Sequence, residues 1–577
     1  MRDGTRLGLM ALAVAALLGL LGDLLLRAIP WGVNAPLWLL ALVAAGGGLL
    51  YLARVPLLGE GRWLALVALL FAAGIALRDS QALLWVNVLA VGLTLGLSGH
   101  RGGSGWPRIG GLMQYLGALA SAGFHACGGV LVLAFFDIHW KEVPRTGSSA
   151  VVLAVLRGLL IAIPLLVLFG GLFMAADAVF SGIVTNVLSI DPRTLFLHLF
   201  WWGVWAWLSA GFFRQVLFYT AIPVLDALRV AAVDADGTPS TGAAADAATA
   251  STVAAGDAPA TTPVSAPVTA PAVGLKRAGG RVGFLGIVEL GVVLGLLDLL
   301  FLAFVLVQFR YLFGGAELVQ VSATLTYAEY ARRGFFELVA VAALLLPMML
   351  FLDWLARLDT PRATMIYRVL AGLLVALLFV VIVSALQRMR LYTQEYGLTE
   401  LRLYTTAFMF WISTGAVWYL ATVLRDQREK YLFGAMLAGL SVAAILNLMN
   451  PDDLIVRTNA GREDASSRFD GEYTLLLSAD AAPAVIEALP YMSESQQVSV
   501  ARRLLQRWEK GNTEDWRSWN YGRWRAYLAT AENEAQLRDL AARQPPRTDS
   551  APSPATTPSG SPKPAATPAA KPSPTPR

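Results

Sequence analysis

The chain has 577 residues, of which 56% are hydrophobic and only 15% charged, against about a quarter charged in an ordinary soluble domain. The net charge of +5 is small for this length, and the cations sit mainly between apolar runs, so charge speaks to membrane topology rather than to nucleic acid. Cys127 is the only cysteine, which excludes an internal disulfide and a cysteine metal cluster.

Apolar runs recur at about 7–26, 36–53, 63–77, 81–98, 112–135, 151–176 and 195–220, and again at about 284–309, 335–352, 367–386, 404–423 and 431–449. Each is near the ~20 residues that carry a helix across ~30 Å of hydrocarbon. Backbone groups there have no water, so each segment must satisfy itself, and a helix does so. The pattern predicts an all-α polytopic transmembrane bundle of about twelve spans. Arg2 and Arg6 precede the first run as in a signal sequence, but no small-residue cleavage site follows, and the run reads as an uncleaved first span. The third and fourth runs are short and flank Arg78 and Asp79, as tilted spans or a broken pair.

Residues 1–230 form the first set of spans and residues 281–450 the second. Between them, 231–280 is rich in Ala, Thr, Asp, Pro, Ser and Gly and lacks the large apolar side chains needed to offset ordering entropy, so it reads as a disordered linker. Residues 545–577 form a Pro-rich disordered tail. Residues 451–544 are polar and carry helix signals. Ser493 and Gln496 fit a capping box, and Val498, Ala501, Leu504, Leu505 and Trp508 follow at helical spacing. Leu537, Leu540 and Ala541 predict a further amphipathic turn. This is a small helical domain or a cap lying on the membrane.

Basic residues fix orientation in the second set. Lys276, Arg277 and Arg281, then Arg357, Arg362 and Arg368, then Arg425, Arg428 and Lys430 fall at every other break, which places them in the cytoplasm and the C-terminal domain outside. Arg2, Arg6, Arg54, Arg62, Arg101 and Arg108 put the N-terminus in the cytoplasm as well. Seven spans in the first set would then put the linker outside, against its basic end, so one window is not a span or one hides two.

Charges inside spans cost roughly 2.5–3.5 kcal/mol near the centre on insertion scales. Asp23, Arg157, Arg214, Glu289, Asp298 and Glu337 lie in or near the windows. Asp23 and Arg214 are close to span ends, where snorkelling or pairing across helices accounts for them. Glu289 and Asp298 share one run but are nine residues apart, half a turn round the helix, so they form no carboxylate pair. Asp298, near the middle, is the leading candidate for a buried functional acid. His100, His125, His139 and His198 lack the i, i+4 spacing of a metalloprotease helix. The glycines at 46–48 and 128–129 suit close helix packing. Trp201, Trp202, Trp205 and Trp207 read as an interfacial belt. Trp508, Trp516, Trp519 and Trp524, interleaved with arginines, fit core packing or a face toward lipid headgroups.

Several stretches resemble a bacterial multi-pass membrane family catalogued as domain of unknown function 4173 (DUF4173). They are Ala176-Asp177-Ala178-Val179-Phe180, the block from Tyr327 to Leu338 containing Glu329, Arg332, Arg333 and Glu337, and Tyr396-Gly397-Leu398-Thr399-Glu400-Leu401-Arg402. Asn450-Pro451-Asp452 with Arg457 and Asn459, Leu477-Ser478-Ala479-Asp480-Ala481 and Asp515-Trp516-Arg517-Ser518-Trp519-Asn520 continue it. The resemblance implies architecture and carries no activity. It points to Glu329 with Arg332 or Arg333, to Glu400 with Arg402, and to Asn450 with Asp452 as polar clusters sharing one external side, expected to form a composite surface. Three functions fit, in this order: a non-enzymatic sensor or scaffold of the envelope, a secondary transporter, and a membrane-embedded enzyme acting on lipid or envelope substrates. The expected partners are the bilayer and an envelope or membrane protein. No nucleic acid and no cofactor are expected.

Overall fold

The computed structural model describes residues 3–55, 59–100, 108, 110–140, 192–218, 285–313, 335–462, 469–508 and 515–543. Ten helices among these residues are long and apolar enough to cross a membrane, and Gly61–Leu77 is a shorter apolar one. Eleven of the twelve expected windows are therefore helical, and the twelfth, 151–176, lies outside the described residues, as do the linker and the tail. Among the described residues the one non-helical pairing is an isolated bridge between Leu285 and Ala356.

The first half contains α1 (Asp3–Leu26), α2 (Asn34–Leu52), α3 (Gly59–Leu77), α4 (Gln81–Ser98), α5 (Leu112–Val132) and α6 (Pro192–Leu217). Its core runs through Ala11, Leu18, Leu39, Leu42, Ala68 and Phe213. The second half contains α7 (Ile287–Phe313), α8 (Phe335–Leu355), α9 (Pro361–Tyr396), α10 (Glu400–Thr422) and α11 (Tyr431–Met449). It packs around Met349, Leu374, Leu378, Ile382, Met409 and Tyr419. The halves meet where Phe71 and Ala90 touch Ala443, and where Asn87 and Asn447 exchange two buried amide hydrogen bonds of 3.0 and 2.8 Å.

At 36 residues α9 is about 54 Å long, well beyond the ~30 Å of a bilayer core. The apolar run ends near 386, yet no helix breaker follows Gln387 until Gly397, whose φ of +77° suits glycine. The extra turns carry the chain out to the C-terminal domain. That domain begins where α11 stops at Asn450, in a left-handed conformation (φ 54°) that Asn tolerates, and Pro451 opens α12 (Pro451–Ala460) at a position where its missing N–H costs nothing. The domain continues through α13 (Gly471–Thr474), α14 (Ala482–Ala488), α15 (Glu494–Trp508), α16 (Tyr521–Glu532) and α17 (Glu534–Ala542). The Ser493/Gln496 capping box is present, with bonds of 3.2 and 3.4 Å. Val498, Ala501, Leu504, Leu537 and Leu540 are buried as their spacing requires. Leu398 and Leu403 pack into the same core, so the turn between α9 and α10 belongs to the domain structurally.

The bundle has two ends. The domain end holds the α1–α2 loop, the α3–α4 turn and the start of α6, where His198 meets Asp23 of α1 and Arg27 just past it. The other, basic end joins the start of α7 to the end of α8 through Leu285 N to Leu355 O (3.1 Å) and Arg357 N to Leu285 O (2.9 Å). There too Gln215, late in α6, donates to Gly96 O near the end of α4 (2.8 Å). α5 qualifies as a span by length and composition, yet both its ends meet the basic end. Tyr115 packs with Leu64 and Leu97, while His139 N donates to Thr5 Oγ1 (3.3 Å) and Ile138 lies against Gly8. Both ends of the 112–135 window therefore meet the same end of the bundle. Residues 218 and 285 both lie at the basic end, so the expected conflict over the linker's side does not arise.

The tryptophans of α6 correct another expectation. They form no belt at one depth. Trp202 donates to Ala16 O (2.9 Å), Trp207 to Cys127 O (3.1 Å), and Trp205 packs on Trp38 with ring centroids 5.1 Å apart. They bind α6 to its neighbours along its length. Gly129 packs against Gly211 as a close-contact glycine should, whereas Gly47 and Gly48 face open space.

Candidate functional site

A helix leaves its last four carbonyls without partners, and near a bilayer few waters can serve them. At the domain end these carbonyls are met by side chains. Arg517 donates to Leu24 O of α1. Asn520 Nδ2 donates to Ile75 O and Arg78 O at the end of α3 (2.9 and 3.0 Å). Arg462 donates to Gln394 O and Glu395 O of α9 (2.7 and 3.2 Å). All three donors come from the C-terminal domain, and the two arginines also bring positive charge to the negative ends of helix dipoles. Arg78, in the α3–α4 turn, caps α11 in the same way through Asn447 O and Leu448 O (2.6 and 3.1 Å).

Inside this ring of caps lies a buried network of acids. Asp480 Oδ2 accepts from Asp79 N (2.6 Å), Ser80 N (3.2 Å) and Ser478 Oγ (3.2 Å), while Oδ1 stands 3.8 Å from Arg78. Asp79 returns the contact, since its Oδ2 accepts from Ala479 N (3.3 Å) and its Oδ1 binds Arg523 Nη1 at 2.5 Å. Asn450 Nδ2 donates to Asp480 O (3.2 Å). Asp452, fully buried, accepts from Ser478 Oγ and N (2.5 and 3.2 Å), and Glu400 stands near it at the start of α10. Burial pushes Asp480 up to about 6, partly countered by its Asp79 backbone bond and Arg78. Asp452 is also raised by burial, with the Ser478 bonds pulling the other way. Gly522 makes room for the network: a Cβ there would sit 2.2 Å from Asp480 Oδ1. Gly32 does the same for the α1–α2 loop, where a Cβ would meet Trp519 O at 2.2 Å and Val33 N donates to that oxygen (2.8 Å).

Among the residues expected from sequence, Glu400, Asn450 and Asp452 come together here, but as a buried core rather than the external surface anticipated. Arg402 lies beside them, donating to Gly397 O and stacked 4.0 Å over the Tyr392 ring. With Asn459, Arg462, Phe469 and Tyr473 it lines a cavity of about 250 Å³ between the α9–α10 turn and the domain. Asp177, Glu329, Arg332 and Arg333 lie outside the described residues. Glu289 and Glu337 are exposed in the first turns of α7 and α8, away from this site. Asp298 is apart from it as well, buried in α7 with neither carboxyl oxygen hydrogen-bonded. Arg78 and Asp79, read from sequence only as a break between short spans, prove central. So do Asp480 and Asn520, which stand inside two of the resemblance blocks. Arg523 lies just beyond one of them.

The charges near the ends of the first-half spans pair across helices. His198 Nδ1 donates to Asp23 (2.5 Å). Arg214, expected to snorkel or to pair across helices, does the latter, buried between Asp137 (2.8 Å) and His125 (2.8 Å). Among the described residues no group of three or more His, Cys, Asp or Glu is placed to hold a metal.

Ten apolar helices and a capping polar domain define a multi-pass helical membrane protein. A family model described as Domain of unknown function (DUF4153) matches residues 65–488, most of the chain, and the protein belongs to that family. The blocks quoted above thus led to a domain of unknown function but to the wrong number, 4173 in place of 4153. The match spans both sets of spans and reaches into the domain, whereas those blocks covered only short segments from residue 176 onward. No curated protein and no solved structure matches the chain.

Proposed function

We propose that the protein is a non-enzymatic sensing or scaffolding component of a cell envelope, whose C-terminal domain stands on the external side and holds the outer ends of the spans in one arrangement. The observation that carries this reading is that the domain itself supplies the donors for the last turns of α1, α3 and α9. Those helices belong to both halves, so any ligand or partner that moves the domain moves both. The charge pattern supports the side, because Arg54, Arg62, Arg357, Arg368 and Arg425 gather at the opposite end.

A second reading, secondary transport, is favoured by Asp298, a buried acid with no partner in the middle of an apolar helix. Complementation of a chromosomal deletion separates the two, with the amount of protein in the membrane checked by immunoblot. On the scaffold reading Arg523→Ala fails to complement and Asp298→Asn succeeds. The reverse pattern at equal protein level discards the scaffold in favour of transport.

A further inference from the structure

The domain core is closed around Val485, Val500, Ala526 and Leu537, and Leu476, Tyr491, Trp516, Trp519 and Trp524 remain exposed outside it, of which Trp516 and Trp519 adjoin the end of α1. Trp516 is 65% exposed and Trp519 44% exposed. Neither indole N–H donates to a described residue. Their place is fixed by backbone contacts. Arg517, between them, caps Leu24 in the last turn of α1, and Trp519 O accepts from Val33 just past that helix. Leu17, Leu20 and Leu24, all well exposed, form a stripe along one side of α1 that ends at this point. In a span such a stripe faces lipid. Ile29, in the loop beyond, is exposed at the same end.

We infer that the C-terminal domain rests on the bilayer, with Trp516 and Trp519 seated in the boundary between headgroups and acyl chains beside the end of α1. The occupant is argued from continuity: the lipid-facing stripe of α1 leads up to these rings, and an indole with an apolar body and a free N–H suits that boundary. Electrostatics contributes little, because Arg517 is paired with Asp515 (Nε to Oδ2 2.8 Å). The contact is therefore indifferent to headgroup charge and to salt, unlike a basic surface binding anionic lipid. It stands whether the chain senses or transports.

The test uses the unaltered full chain in nanodiscs containing a phospholipid with a diazirine near the top of its acyl chain. Mass spectrometry is expected to find lipid adducts on the peptide around Trp516 and Trp519, and none on Ser495 or Asp539, which are exposed elsewhere on the domain. The yield should be equal in phosphatidylcholine and phosphatidylglycerol discs and unchanged by added salt. A nitroxide at Trp516→Cys in a Cys127→Ser background gives a second measurement, and greater collision with oxygen than with a water-soluble nickel chelate is expected. Preference for the nickel reagent, with no adducts, overturns the inference in favour of a domain standing clear of the membrane. Shielding from both reagents, with no adducts, overturns it in favour of a second copy or another protein on this face.

Discussion

Two sets of ion pairs, one at each end of the bundle, use the same residue types for different purposes. At the basic end, Arg357 pairs with Asp359 (2.8 Å) and Arg368 with Asp426 (2.5 Å), but all four side chains are largely in solvent. At the domain end, Asp79, Asp480 and Arg523 are almost fully withdrawn from it. Coulomb attraction between exposed charges is weak and salt-screened, so the first group serves topology more than cohesion. Removing one partner of a buried pair leaves an uncompensated charge, so the second group makes the domain and the spans interdependent.

The sharpest way to break this contrast is Arg523→Ala, which strands the Asp79 carboxylate. Unfolding in detergent micelles should show a loss of about 3–5 kcal/mol, with hydrogen exchange rising together in residues 75–80 and 515–523. A loss confined to the domain would mean the two ends differ less than their burial indicates.

Acidity gives an effect of the next size. The Asp480 carboxyl is raised from 3.8 to about 6 in the docked state. A raised carboxyl binds its proton more tightly when docked, so its contribution is fully present below about pH 4 and lost as pH climbs through about 6. The rise is worth about 3 kcal/mol at most. Docking, followed by exchange protection of the Arg78–Ser80 turn, should therefore tighten from pH 8 to pH 5, and Asp480→Asn should flatten the profile. Tightening in the opposite direction would mean that the Arg78 and Arg523 pairs outweigh burial. At the small end of the scale, Arg357→Gln should cost under about 1 kcal/mol and fade with salt. A cost equal to that of Arg523→Ala would erase the distinction.

Much of the architecture was legible because a bilayer imposes length and apolarity on each span separately, and those are local properties. α9 was underestimated for the converse reason: its last ten residues are mostly polar, and only the absence of a breaker before Gly397 reveals that the helix continues. Composition alone could not report that both ends of α5 meet the same end of the bundle. The site was legible in halves. Glu400, Asn450 and Asp452 stood out as acids and amides at span ends. Asp79 and Asp480 are four hundred residues apart, and nothing in either stretch names the other. Short polar segments such as Ser478-Ala479-Asp480 gain meaning only when folding brings their partners into contact.

That the chain both leaves α6 and enters α7 at the basic end bears on how the protein can be built. The halves find each other through Asn87 with Asn447 and through the shared cap, not through covalent connection. Cut within 231–280 or supplied as two polypeptides, they should insert separately and still assemble, which makes this stretch the natural place for a genetic split or an inserted tag.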